Sequence, residues 1–102
     1  MDVVRQSELE EVVSILRAHQ IELAQRGVQD IAIFGSVARG TASSRSDIDI
    51  LVEFNQSIGL FEFIRFKLLL EQWIGKKVDL VTPDALHPAL RQSILDEAIY
   101  VR

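Results

Sequence analysis

The chain has no cysteine, and its 102 residues include only two prolines, both in the last fifth, and five glycines. Without cysteine there can be no disulfide, no zinc-thiolate centre and no thiol nucleophile, which agrees with a reducing compartment. With so little proline and glycine there is no linker and no low-complexity tract, so residues 1–102 read as one domain. No apolar run approaches the roughly 20 residues needed to cross a bilayer, and Met1 to Gln6 lack the apolar core of a secretory signal. A cytoplasmic protein without membrane contact is therefore expected. Basic residues are in deficit too, with 11 Lys and Arg against 15 Asp and Glu and a net charge of -4. A polynucleotide surface needs a clustered cationic excess, so no direct polynucleotide binding is expected, whereas one nucleotide at a local site remains open.

What is present is regular patterning. Ser7 followed by Glu10 forms a capping-box pattern, and Leu9, Val12, Val13, Leu16 and Leu23 recur at helical spacing as far as Gly27. Val28 to Phe34 suits a buried strand that ends in a turn at Gly35. From Asp47 to Phe54 the apolar Ile48, Ile50 and Val52 alternate with a partly acidic face. A second helix is expected from Gly59 to Ile74, stopped by Gly75, then a short strand around Asp79 that Pro83 closes. Pro88 suits the first turn of a last helix through Glu97, and Ile99 to Val101 read as a final short strand. The order predicts an α+β fold: a small mixed sheet covered by helices on one side.

The chemistry is concentrated in Gly35-Ser36-Val37-Ala38-Arg39-Gly40 and Asp47-Ile48-Asp49. Two acids two residues apart on a strand share a side, with alpha carbons about 6.6 Å apart. Such a pair can hold magnesium, which takes hard oxygen ligands from one or two carboxylates and from substrate phosphates. Taken alone, an Asp-x-Asp on a half-exposed strand is more often a solvated pair. Gly35 alters that balance: a glycine at a strand-to-helix turn admits a ligand close to the backbone, and the following N–H groups with the Ser36 hydroxyl can donate to phosphate oxygens. Arg39, one turn on, can reach the same charge. The plainer reading makes Ser36 a helix cap and Arg39 solvated. No Gly-Lys-Ser/Thr follows, so the segment is not a P-loop.

Gly35-Ser36, ten intervening residues and then Asp47-Ile48-Asp49 in an apolar setting resemble the signature of DNA polymerase beta-like nucleotidyltransferases. The string GSVARGTASSRSDIDILVEF is similar to the minimal nucleotidyltransferases, a prokaryotic branch of that superfamily, with the likeness running from the first helix to Val101. The resemblance implies a core like the polymerase beta palm and a third carboxylate on a neighbouring strand, a place that Asp79 fills within Lys77-Val78-Asp79-Leu80-Val81. It also implies a two-magnesium site, whose ions lie about 3.5 to 4 Å apart, held by Asp47, Asp49 and Asp79. Gly35, Ser36 and Arg39 would then bind the triphosphate. By the same analogy the substrate is a nucleoside triphosphate, ATP in the first place, and the partner a helical HEPN-type toxin that this chain adenylylates on a hydroxyl as its antitoxin.

Two other readings compete. A silent binding module could neutralise a partner by occlusion, though the Gly-Ser pair and all three acids are intact; an antibiotic-modifying enzyme would need an acceptor domain for which the chain has no room. Arg45 reads as a solvated loop residue, Ser46 as a turn residue and His87 as a helix cap. Lys76 and Lys77 follow a helix end, where cations suit its dipole. The apolar helix from Gly59 to Ile74 is expected to offer a surface for self-association or for a helical partner, through whichever of Phe63 and Phe66 is the more exposed.

Overall fold

A computed structural model describes residues 7–43 and 45–102. The expected first helix is two: α1 spans Ser7–Ala18 and α2 spans Gln20–Gln25. They part at His19, whose Nδ1 donates to the Ile15 carbonyl at 2.9 Å while its ring stacks on Trp73 with centroids 3.7 Å apart. The imidazole thereby engages the carbonyl that the His19 N–H would meet in an unbroken helix, and that N–H bonds Leu16 O instead. The Ser7 side chain lies outside the described residues, and with it the capping box.

The chain continues through β1 (Val28–Phe34), α3 (Gly35–Arg39), β2 (Ile48–Phe54), α4 (Leu60–Ile74) and β3 (Val78–Val81). A 3-10 turn at Pro83–Ala85, α5 (Pro88–Glu97) and β4 (Ile99–Tyr100) complete it. The four strands form a mixed sheet in the order β3-β2-β1-β4. β1 is antiparallel to both β2 and β4, whereas β2 and β3 are parallel. A parallel pair requires a crossover, and α4 supplies it. The Glu71 carboxylate on α4 accepts the Val78 N–H at 2.9 Å, which holds that carboxyl below its usual range and ties the end of the crossover to the start of β3. Gly75, in the left-handed region at φ 81°, ends α4.

Strand alternation sorts the side chains. Ile31, Ile33, Ile48, Ile50, Val52, Val78 and Leu80 are buried in one cluster with Val12 and Leu16 of α1, Leu23 of α2, and Phe66 and Leu70 of α4. This is the helical cover expected on one side. The opposite face carries a smaller second cluster: Ala32, Phe34 and Leu51 pack with Leu86, and Ile94 and Leu95 of α5 close over them. Asp49 is two residues from Leu51 and Asp79 two from Val81, so both acids share this thinly covered face.

The apolar surface of α4 does not lie where Phe63 and Phe66 would put it. Phe66 is 2% exposed and meets Phe54 edge-on at 5.5 Å, and Phe63 is half-buried against the main cluster. Leu60, Phe61, Ile64 and Leu68 form the exposed stripe, with Phe61 78% exposed. Phe66→Ala is expected to cost about 3–5 kcal/mol, whereas Phe61→Glu should change stability by less than about 0.5 kcal/mol. Urea titrations of the two variants would show the contrast.

Candidate active site

The site grows from the end of β1. Phe34 is paired with Asp49 across the antiparallel ladder, so the chain leaves the sheet directly beside the Asp49 carboxylate. At Gly35, φ is +72°, a conformation that a side chain disfavours. A Cβ at this position would also collide with Oδ2 of Asp49. Glycine is thus required twice, once for the turn and once for the approach. The turn opens α3, which ends after Arg39 at Gly40, φ 77°. Gly35, Ser36 and Arg39 therefore lie on one short segment that starts against the acid.

Asp79 sits beside Asp49 in the parallel register of β2 and β3. Asp47 precedes β2 in the loop instead of belonging to the strand, and it is exposed. Desolvation, the charge of Asp79, a hydrogen bond shared with Asp79 and the charge of Asp47 together push Asp49 up to about 6, against an opposing pull from Arg39. Crowded carboxylates of this kind are where a cation would settle. Among the described residues no three His, Asp or Glu side chains converge as a ready-made metal cage. Hard oxygen donors on Asp49 and Asp79, with Asp47 adjacent, nevertheless suit magnesium, which completes its shell from phosphates and water.

One residue of this site was not foreseen from the sequence. Glu97, at the end of α5, accepts the Gly35 N–H through Oε2 at 3.0 Å and pairs through both oxygens with Arg39 Nη1 at 3.2 Å. The one sequence signal was weak: an acid in the last turn of a helix opposes the macrodipole and calls for a compensating partner elsewhere. Three other candidates behave as expected: Ser46 accepts the Ser43 N–H at 3.0 Å in the turn, His87 accepts the Ala89 N–H at the start of α5, and Arg45 is exposed. Lys76 differs, since it pairs with Glu8 of α1.

The nucleotidyltransferase domain family matches residues 9–101. The chain belongs to that family. It is 45% identical over 94 residues to the protein adenylyltransferase MntA of Thermococcus cleftensis, a match covering 91% of this chain and 95% of the relative. A solved structure of a protein provisionally assigned as a minimal nucleotidyltransferase superposes with a TM-score of 0.77 at 41% identity, covering 89% of this chain and 93% of the other. The fold is shared more distantly with a chain from the complex of a tri-AMPylated Shewanella oneidensis HEPN toxin with its MNT antitoxin, at a TM-score of 0.59 and 21% identity over 97% of this chain and 72% of that one. The α+β architecture around the Gly-Ser turn is thus that of the minimal nucleotidyltransferases.

Two outcomes follow from the geometry. Gly35→Ala should lower the melting temperature by several degrees, because it combines a disfavoured φ with a collision against Asp49; calorimetry would measure it. Asp49 carries a folded-state pKa above its unfolded value, so its contribution is fully present below about pH 4 and is lost as the pH rises through about 6. In chelator, Asp49→Asn should therefore exceed the wild type in stability at pH 7, by about 1 kcal/mol after allowance for solvent screening, and the advantage should vanish at pH 4. Thermal melts at the two pH values provide the test.

Proposed function

We propose that this nucleotidyltransferase is a magnesium-dependent protein adenylyltransferase that moves AMP from ATP to a hydroxyl of a helical HEPN-type toxin, and acts as its antitoxin. The observation that carries the proposal is the pairing of Asp49 with Asp79 directly beside the Gly35 turn, which brings acids suited to cations against donors suited to phosphate. The 45% identity to a protein adenylyltransferase supports the reaction, and the distant likeness to an antitoxin bound to an AMPylated HEPN toxin supports the partner.

Asp47, Asp49 and Asp79 would hold the metal. When bound, magnesium neutralises phosphate charge and organises the oxygens for in-line displacement. Gly35 and Ser36 orient the beta and gamma phosphates through N–H and hydroxyl donors, and Arg39 offsets charge that develops on the departing pyrophosphate. The acceptor hydroxyl oxygen forms a bond to the alpha phosphorus, and the bond from that phosphorus to the bridging oxygen of pyrophosphate breaks. The hydroxyl proton passes to Asp79. The thin cover over this face of the sheet leaves Asp79 exposed, as an acceptor brought by another protein requires.

Replacement of Asp47, Asp49 or Asp79 by Asn should each reduce transfer of labelled AMP to the cognate toxin by more than about 100-fold, beyond the loss caused by removing an outer partner of a metal ligand. All three variants should still melt cooperatively. Substantial transfer by the Asp49 variant would end the assignment, and neutralisation of the toxin without any transfer would favour occlusion. Triphosphate binding followed by calorimetry should tighten with magnesium and weaken in chelator.

A further inference from the structure

Glu97 occupies donors that the proposed reaction needs. Its carboxylate takes the Gly35 N–H at 3.0 Å and engages Arg39 through both oxygens at 3.2 Å. A carboxylate with two oxygens facing an N–H and a guanidinium makes the same charge-assisted contacts as a phosphate group. Its own helix does not favour it there, since the C-terminal end of α5 presents partial negative charge. Asp49, the neighbour of Gly35, adds more negative charge. Gly35 and Arg39 therefore hold Glu97 in place, and a ligand that claims them releases it.

The surroundings limit what has to move. Ala98 follows directly, and β4 then pairs with β1 through Ile99 opposite Ile33 and Tyr100 opposite Ala32. Ile94 and Leu95 anchor the preceding turn on the sheet. With the backbone held on both sides, Glu97 can vacate the cradle by side-chain rotation alone, and 29% of its side chain is already open to solvent.

On the reading of Gly35, Ser36 and Arg39 as the triphosphate cradle, we infer that Glu97 is a positioning residue that stands in for phosphate: it keeps Gly35 and Arg39 ordered without nucleotide and is exchanged for the triphosphate on binding. The exchange raises the concentration of triphosphate needed to fill the site. The Gly35 N–H has one proton, so a triphosphate oxygen and Glu97 Oε2 cannot both take it, and two anions beside Arg39 would repel each other. Removing the carboxylate thus frees the cradle, whereas removing a merely structural contact would loosen it.

The test is calorimetric titration of wild type, Glu97→Gln and Glu97→Ala with magnesium AMP-PNP, beside melts of each protein alone. Glu97→Gln keeps the shape and an acceptor for the Gly35 N–H but loses the ion pair; Glu97→Ala loses both. Affinity should rise in the order wild type, Gln, Ala, by about 3- to 10-fold overall, while the melting temperature without nucleotide falls. If Glu97→Ala fails to melt cooperatively, the Gln variant decides. Unchanged or weaker binding in the folded variants, with wild type binding normally, overturns the exchange alone. No binding by any of the three overturns the cradle reading and the exchange with it.

Discussion

The site depends on one close approach. Gly35 leaves β1 with its alpha carbon against the Asp49 carboxylate, at a spacing that even a methyl group would destroy. That contact is set by the pairing of Phe34 with Asp49, and the ladder in turn is held by Ile31, Ile33, Ile50 and Val52 in the main core. The site is therefore built on well-buried strands of the sheet. A slip of one residue in β1 or β2 would turn the apolar set toward water and move Asp49 from its face at the same time. Core packing and site geometry are a single constraint.

Within this buried frame the site is electrostatically unfavourable. Asp49 and Asp79 are brought together by parallel pairing, and burial with neighbouring negative charge makes the ionised form of Asp49 costly. Without a cation the fold bears that cost, which is the usual relation between a charged site and the stability of its scaffold. The turn at Gly35 is free of strain only because the residue is glycine, whereas the acid at the end of α5 opposes its own helix. Both unfavourable features meet at Gly35, which lies against Asp49 and bonds Glu97.

Much of this was legible in the residue order. Alternation in Ile48, Ile50 and Val52 and the stops at Gly35 and Gly75 reported the strands and α4 because burial selects side chains at those periods. The Gly-Ser turn and the Asp pair were legible as residue types suited to phosphate and to cations, and Asp79 as a candidate third acid through the resemblance to the nucleotidyltransferases. What stayed hidden was tertiary. His19, where the first helix breaks, stacks on Trp73, a contact between segments far apart in the chain. α5 has no fully buried residue, so its pattern did not announce the second face that it covers. The nearly continuous apolar run in α4 could not say which aromatics face the sheet, and Phe66 proved to be core while Phe61 is open. Glu97 meets Gly35 across 62 positions, beyond the reach of any local pattern.

The strand order has one more effect. β3 lies at an end of the sheet and spans only Val78–Val81, of which Val78 and Leu80 are buried. The edge of a sheet presents unpaired backbone groups to which another chain can add, and shortness and a charge within the edge strand both deter this. Asp79 is the one charged residue of that strand, and it is exposed. An acid proposed for the site thus also lies on the edge of the sheet, so its loss would remove one of the two deterrents to strand addition together with a proposed metal ligand.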